Sequence, residues 1–188
     1  MTALPVVLLS GAPASGKSTL AHLVARELRA AVIDQDVATA PLVEVVQRMV
    51  GVDDLDDARL VGLTRAARYR VVLDLAADNL SAGVPVVLVA PFTAERAEPS
   101  AWADTRDRLV AAGGAPMLVW LRLEPAEMVR RLRERAAARD VAKIADEVAY
   151  LSGAAATACQ APVVAHLALD ATLHPAELAR TVLDALPR

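Results

Sequence analysis

The chain has 188 residues, a length within the range of one domain that buries a normal hydrophobic core. Apolar residues make up 55% of it but aromatic residues only 3%, so the core must consist mainly of Ala, Val and Leu, which favours an α/β domain. The net charge of −3 gives no electrostatic reason to expect nucleic acid or an anionic membrane as the main partner.

The N-terminal segment shows no targeting pattern. Residues 1–5 carry no basic region, and the apolar run after them ends at Ser10, far short of a membrane span. The single cysteine, Cys159, has no partner for an internal disulfide. We therefore expect a cytoplasmic protein with no membrane among its partners. The oligomeric state is left open, a homodimer included.

Short runs of Val, Leu and Ile bounded by Gly, Pro or Asp predict five strands. They lie at about 4–10, 31–34, 84–90, 117–123 and 163–169. Apolar residues at helical spacing predict helices at about 16–29, 37–83 with a break at 51–57, 102–112, from 125 onward, 144–151 and 175–186. Strands that alternate with helices indicate a parallel sheet, in which ligands bind beyond the carboxyl ends of the strands.

A phosphate-binding motif lies between the first predicted strand and the first predicted helix. The sequence Gly11-Ala12-Pro13-Ala14-Ser15-Gly16-Lys17-Ser18 fits G-x-x-x-x-G-K-S/T in the required strand-to-helix context. Glycines let the backbone wrap around phosphates, Lys17 reaches the β- and γ-phosphates, and Ser18 holds Mg²⁺. We therefore expect ATP and Mg²⁺ as cofactors, with contacts from Gly11, Ala14, Ser15, Gly16, Lys17, Ser18 and Thr19.

Two classes of nucleotide enzyme are disfavoured by what the sequence lacks. GTPases read guanine with an N-K-x-D element, but the only asparagine, Asn79, is not followed by lysine. Motor ATPases end the third strand with acidic residues that hold Mg²⁺ and polarise water, whereas this strand runs into Ala90-Pro91. The loop is therefore expected to serve a kinase.

The chain resembles the small-molecule P-loop kinases, such as shikimate kinase, gluconate kinase and chloramphenicol phosphotransferase, and more closely the AAA-33 type of kinase-like ATPase. The resemblance rests on the loop at 11–19, Asp34-Gln35-Asp36, Pro91-Phe92, and an arginine-rich helix with Arg139-Asp140. It spans most of the chain, and only the loop is specific by itself. It implies the P-loop NTPase fold: a five-stranded parallel sheet in the order 2-3-1-4-5 with helices on both faces, a helical substrate cap at about 37–83 and an arginine lid at about 130–150.

The two aspartates after the second strand match the D-x-D of shikimate kinase. Beside the phosphate loop, one carboxylate would face Mg²⁺ and the other would accept the proton of the substrate hydroxyl. We assign Asp34 to the metal and Asp36 to the base, and the reverse assignment stays open. The alternative is that Asp36 only caps the helix that follows.

Arg131, Arg135 and Arg139 recur every four residues and so form one stripe on a helix. In the kinases that the chain resembles, arginines here stack on adenine and close over the γ-phosphate. That resemblance implies adenine contact for Arg131 and phosphate contact for Arg135 and Arg139. The alternative is a solvated basic face.

Polar residues of the cap and of the third strand's end are candidate substrate contacts, namely Arg65, Arg68, Tyr69 and Arg96. Surface arginines and a core tyrosine are the alternative. Together these patterns predict an ATP- and Mg²⁺-dependent phosphotransferase acting on a hydroxyl group of a small metabolite or antibiotic. A nucleoside or nucleotide kinase and a non-catalytic ATP-binding sensor or partner-binding module are the alternatives.

Overall fold

The computed structural model describes residues 3–55, 57–135 and 158–187. Five strands lie within these ranges: β1 (Leu4–Gly11), β2 (Ala31–Asp34), β3 (Val86–Val89), β4 (Gly114–Arg122) and β5 (Leu167–Asp170). They form one parallel sheet in the order β2-β3-β1-β4-β5. The predicted sheet and its strand order are confirmed.

The same ranges contain seven helices. They are α1 (Lys17–Leu28), α2 (Gln35–Val50), α3 (Ala58–Ser81), α4 (Thr93–Ala97), α5 (Pro99–Ala111), α6 (Pro125–Arg135) and α7 (Pro175–Ala185). None of these helices combines the length and the apolar character needed to cross a bilayer.

Several elements differ from the prediction: α5 begins at Pro99 rather than 102 and β3 at Val86 rather than 84. The sequence does not predict α4, because its five residues show no apolar period and include the charged Arg96. β4 begins at Gly114, three residues early, because Gly114 already pairs with β1. β5 begins at Leu167 rather than 163, because the Val163 N–H donates to the Arg96 carbonyl (2.8 Å) instead of joining the sheet. The predicted helix at 144–151 lies outside the described residues.

β1 is the central strand, and its side chains alternate between two hydrophobic cores. Val7 and Leu9 face a core shared with α1, α6 and α7, whereas Val6 and Leu8 face a core shared with α3 and α5. All four side chains are fully buried. Helices therefore cover both faces of the sheet, as predicted, and the loop that follows β1 starts from a strand fixed by close packing on each side.

The segment predicted to be the cap forms two helices, α2 and α3. Asp34 caps α2, because its Oδ1 accepts a hydrogen bond from the Asp36 N–H (3.0 Å). The helix ends at Gly51, whose φ of 71° is left-handed. Asp57 caps α3 in the same way, accepting from the Arg59 N–H at 2.9 Å. The expected break at 51–57 is confirmed, and the idea that Asp36 is the cap of α2 is wrong.

Candidate active site

The loop between β1 and α1 requires glycine at two positions. A Cβ on Gly11, where φ is 147°, would lie 2.7 Å from the Leu121 carbonyl oxygen. Gly16 caps α1 with a φ of 90°. Between them Ala14 has a left-handed φ of 58° despite its side chain, a conformation that costs on the order of 1–2 kcal/mol. Strained backbone conformations concentrate at ligand-binding sites, and this one lies in the middle of the phosphate loop.

Lys17 lies partly buried at the start of α1. Its Nζ donates to the carbonyl oxygens of Gly11 (2.9 Å) and Ala12 (2.8 Å), both within the loop. Burial lowers the pKa of Lys17 to about 8, although the nearby carboxylates of Asp36 and Asp34 act in the opposite direction. The ammonium group is thus held in the loop by neutral carbonyls, which phosphate oxygens can replace as stronger, charged partners.

Ser18 and Asp34 bring two oxygen ligands together. The Ser18 hydroxyl donates to Asp34 Oδ2 at 2.8 Å, joining the first turn of α1 to the end of β2. Within the described ranges, His, Cys, Asp and Glu side chains nowhere gather in the threes that would hold a metal ion. Mg²⁺ in phosphate sites commonly keeps several waters and takes one or two protein oxygens. The Ser18–Asp34 pair fits that requirement.

Asp36 is positioned by the second cap helix. Arg68 on α3 donates from Nη2 to Asp36 Oδ1 (2.6 Å) and from Nε to the Thr39 hydroxyl (3.0 Å). The Asp36 side chain is 64% exposed and that of Arg68 26%. Arg68 therefore ties α3 to the first turns of α2 and holds the Asp36 carboxylate at the mouth of the site.

A cleft of ≈ 510 Å³ opens beside Arg65, one turn before Arg68 on α3. Its lining residues are Ala58, Val61, Gly62, Arg65, Ala66, Tyr69, Ala94 and Glu95. Arg65 donates from Nη2 to the Thr93 hydroxyl (2.7 Å). The ring of Tyr69 contacts that of Phe92 edge-on, with centroids 6.1 Å apart, and burial raises the Tyr69 pKa. Three predicted substrate residues, Arg65, Arg68 and Tyr69, thus lie on one helix, and Arg68 among them contacts Asp36.

Arg131 connects three parts of the site. It donates from Nε to Glu127 Oε1 (2.8 Å), from Nη2 to the Ala171 carbonyl (3.0 Å) and from Nη1 to the Ala14 carbonyl (3.5 Å). Hydrogen bonds from Arg130 and from Arg131 lower the pKa of Glu127 to about 2. Arg131 therefore anchors α6 to the phosphate loop and to the segment after β5.

The remaining predicted arginines have different surroundings. Arg135 is exposed at the end of α6, and its charge is among those that lower the Lys17 pKa. Arg96 is buried, and its guanidinium donates to the carbonyls of Ala158 (3.3 Å) and Gln160. Arg96 also contributes to the electrostatic field at Lys17. Arg139, the third member of the stripe, lies outside the described residues.

Sequence reasoning missed Glu95 and Thr93, which lie on the first turn of α4. Glu95 is buried, and burial raises its pKa. A carboxylate in a charged stretch is ordinarily interpreted as solvated, so the sequence carries no local signal for its burial.

Comparison with known proteins gives a family and a fold. The model of the AAA-33 family, described as an AAA domain, matches residues 6–158, a span that includes the loop, the cap and α6. No curated protein matches the sequence.

Solved structures are similar over nearly the whole chain. The APS kinase CysC of Mycobacterium tuberculosis, in complex with AMPPNP and APS, is 21% identical with a TM-score of 0.62, and the match covers 98% of each chain. A gluconokinase from Sinorhizobium meliloti is 20% identical with a TM-score of 0.59, covering 98% of this chain and 92% of that one. Shikimate kinase from Aquifex aeolicus is 18% identical with a TM-score of 0.53, covering 96% and 94%. The chain has the fold of these P-loop kinases, and the family match over most of its length shows that it belongs to the AAA-33 family.

Proposed function

We propose that the chain is an ATP- and Mg²⁺-dependent phosphotransferase that moves the γ-phosphoryl group of ATP to a hydroxyl group of a small metabolite or antibiotic. One observation carries this proposal: an ammonium group, a hydroxyl and two carboxylates converge beyond the carboxyl ends of β1 and β2. They belong to Lys17, Ser18, Asp34 and Asp36. Ligands of open parallel sheets bind at this edge.

The residues that would bind ATP, which we call the donor half of the site, belong mainly to the phosphate loop. Because the Lys17 pKa is about 8, its amine is mostly protonated at neutral pH and offers a full positive charge to the phosphates. The N–H groups at the start of α1 add partial positive charge. Ser18 and Asp34 are the residues that would hold Mg²⁺, which when bound supplies positive charge to the β- and γ-phosphate oxygens.

The acceptor half depends on Asp36. The Asp34 carboxylate is half-buried and joins Ser18 to the start of α2, whereas the Asp36 carboxylate is 64% exposed at the mouth of the site, which favours Asp36 as the base. Its carboxylate accepts the proton of the acceptor hydroxyl as the hydroxyl oxygen bonds to the γ-phosphorus and the bond to the bridging β–γ oxygen breaks. A positioned base of this kind contributes about 10²–10⁴-fold in rate.

The arginines supply further positive charge to the transferring group. Arg131 lies between the phosphate loop and the segment after β5, and we assign it to the adenine side of the nucleotide. We assign Arg135 to the γ-phosphate, because its charge already acts at Lys17, and Arg139 to the same group by its place in the stripe. Arg65, Arg68, Tyr69 and Arg96 are assigned to the acceptor side.

The end of β3 favours transfer over hydrolysis. The chain there reads Ala90-Pro91, and the Pro91 carbonyl accepts a hydrogen bond from the Ser10 hydroxyl (2.7 Å). The position where motor ATPases carry an acid that polarises water is therefore apolar. A nucleoside or nucleotide kinase would use the same donor half and differ in its acceptor. A non-catalytic ATP-binding module would use the donor half without any acceptor.

The kinases of similar fold support a small acceptor. Two of them are a gluconokinase and an APS kinase, and the APS kinase structure holds AMPPNP together with APS. Both proteins match this chain over nearly its full length, including the cap that contacts Asp36.

The test is transfer of label from γ-labelled ATP to pools of sugars, sugar acids, nucleosides and amino alcohols, with and without Mg²⁺. We expect a labelled phosphate ester from at least one pool with wild-type protein and none with Lys17→Ala. Esters formed only from nucleosides or nucleotides would favour the nucleoside kinase. Tight ATP binding without any labelled ester would favour the binding module and contradict the proposal.

A further inference from the structure

Arg131 is held by a carboxylate of its own helix, α6. Its Nε donates to Glu127 Oε1 at 2.8 Å, across one helical turn. Only 24% of the Arg131 side chain and 25% of the Glu127 side chain are exposed. An ion pair with so little solvent contact is screened less than an exposed pair. Glu127 therefore restrains the direction in which the Arg131 guanidinium points.

The Glu127 carboxylate is itself fixed by Arg130. Arg130 donates from Nε to Glu127 Oε2 (2.7 Å) and from Nη2 to Glu127 Oε1 (2.6 Å), the bidentate arrangement of a guanidinium and a carboxylate. Arg130 also donates from Nη1 to Glu134, one turn further along the helix. Hydrogen bonds from Arg130 and Arg131 lower the pKa of Glu127 to about 2, so the carboxylate keeps its charge at neutral pH. Glu127 is thus a fixed, charged acceptor for Arg131.

The guanidinium of Arg131 has donors to spare. Each of its three nitrogens makes one hydrogen bond: Nε to Glu127, Nη2 to the Ala171 carbonyl (3.0 Å) and Nη1 to the Ala14 carbonyl (3.5 Å). A guanidinium has five N–H groups, so one on each Nη has no acceptor in the described part of the chain. The Ala14 contact is long and therefore weak. Glu127 and Ala171 are thus the acceptors that orient the plane of the guanidinium.

The orientation of Arg131 matters because of where it lies. Its guanidinium joins the phosphate loop to the segment after β5, and both follow the carboxyl ends of strands. A guanidinium plane stacks on aromatic rings and donates hydrogen bonds from its edge. A side chain that a ligand must first immobilise typically weakens binding by about twofold to tenfold. A restraint that is already present in the free protein avoids this loss.

We propose, on the basis of the adenine-side assignment of Arg131 in the function proposed above, that Glu127 is a positioning residue for the nucleotide. It holds the Arg131 guanidinium in the orientation that receives the nucleoside part of ATP. The phosphates are bound by the loop and Lys17, whose hydrogen bonds do not involve Glu127. Loss of Glu127 therefore weakens binding of the nucleoside part and leaves binding of the phosphates intact.

Two ligands separate these parts: ATP, and inorganic tripolyphosphate, which carries the phosphates without the nucleoside. Their dissociation constants are measured in the presence of Mg²⁺ by titration calorimetry on wild-type protein and on Glu127→Ala. We expect Glu127→Ala to bind ATP about fivefold more weakly than wild type and to bind tripolyphosphate within about twofold of wild type. A variant that merely damaged the fold or the phosphate loop would lose affinity for both ligands.

The matched control is Glu177→Ala. Residues 125–127 and 175–177 have the same sequence, Pro-Ala-Glu, and they begin α6 and α7. Both glutamates place negative charge in the first turn of a helix, but Glu177 is exposed and forms no ion pair in the described part of the chain. Glu177→Ala should leave both dissociation constants within about twofold of wild type. An ATP loss equal to that of Glu127→Ala would trace the effect to helix charge and overturn the proposal.

A double variant shows whether Glu127 acts through Arg131. In an Arg131→Ala background, Glu127→Ala should change the dissociation constant of ATP by less than about twofold, because the guanidinium that it positions is gone. If the losses of the two single variants instead multiply, Glu127 acts elsewhere and the proposal is wrong. Thermal unfolding confirms that each variant is folded. If Glu127→Ala is not, Glu127→Gln replaces it with an expected ATP loss of about threefold, because its amide oxygen accepts from Arg131 without a charge.

The proposal is also overturned if Glu127→Ala binds ATP as tightly as wild type, if its affinities for ATP and tripolyphosphate fall together, or if wild-type protein binds no ATP. Failure of the phosphotransferase function looks different. In that case ATP binding shows the expected selective loss in Glu127→Ala, yet no pool yields a phosphate ester. If an ester is formed and Glu127→Ala leaves the KM for ATP unchanged, only the role of Glu127 fails.

Discussion

The Ser18 hydroxyl donates a 2.8 Å hydrogen bond to Asp34 Oδ2, which joins the phosphate-loop helix to the end of β2. The other oxygen of the same carboxylate caps α2. Asp34 thus connects the donor half of the site to the cap, and it does so through two oxygens with separate partners.

Two substitutions of Asp34 should separate these roles. Asn is also a good helix cap, so Asp34→Asn should keep the free energy of unfolding within about 0.5 kcal/mol of wild type, whereas Asp34→Ala should lose about 0.5–2 kcal/mol. Both remove the negative charge, so both should raise the Mg²⁺ concentration needed for nucleotide binding. Urea unfolding and Mg²⁺ titrations measure the two effects. An unchanged Mg²⁺ requirement in Asp34→Asn would remove Asp34 from the metal site.

Lys17 should make the stability of the protein depend on pH in the alkaline range. Its pKa is about 8 in the folded protein against an ordinary value of 10.5, so between these values the unfolded chain binds more protons. Stability therefore rises with pH across this window, by up to about 3 kcal/mol from this residue. Lys17→Met removes the contribution, so the variant should be the more stable protein below pH 8 and lose that advantage toward pH 10.5.

Chemical denaturation at several pH values measures this difference. Tyr69 and Cys159 also titrate in alkali, but they are present in both proteins and cancel in the comparison. A constant difference between wild type and Lys17→Met from pH 7 to 10.5 would show that Lys17 has its ordinary pKa.

Arg131→Ala should weaken nucleotide binding as well as the fold. The change leaves the Ala14 and Ala171 carbonyls without the Arg131 donor and releases α6 from the phosphate loop. We expect a loss of about 1–3 kcal/mol in stability and about tenfold in ATP affinity. Arg180→Ala, at an exposed position of α7, is the control and should change stability by less than about 0.5 kcal/mol. Equal effects from the two variants would show that Arg131 acts only through its positive charge and not through these hydrogen bonds.

Local patterns sufficed for the parts of the site that are contiguous in the chain. The phosphate loop was predictable because Gly11, Gly16 and Lys17 stand at fixed spacing between an apolar run and a helical period. The sheet order followed from the resemblance, and the hydrophobic runs placed its strands. Asp34 and Asp36 could be proposed together because both follow directly after β2.

Local sequence patterns could not predict contacts between segments that are distant in the chain. Arg68 contacts Asp36 across 32 residues, and Arg131 contacts Ala14 across 117. Nothing near Arg96 in the sequence indicates that carbonyls more than 60 residues later accept from its guanidinium. The buried charged residues Glu95 and Arg96 also contradict the usual expectation that charged side chains are solvated. Because α4 contains both of them, its sequence has no apolar period from which a helix could be predicted.

The most direct test compares ATP affinity and phosphoryl transfer in Lys17→Ala and Asp36→Asn, using the acceptor found in the labelling screen. Lys17→Ala should lose both, because the donor half fails. Asp36→Asn should keep ATP affinity within about twofold and lose about 10²–10⁴-fold in kcat, because only the proton acceptor is gone. Full turnover in Asp36→Asn, or normal transfer in Lys17→Ala, would contradict the assignment of this edge of the sheet as a phosphotransferase site.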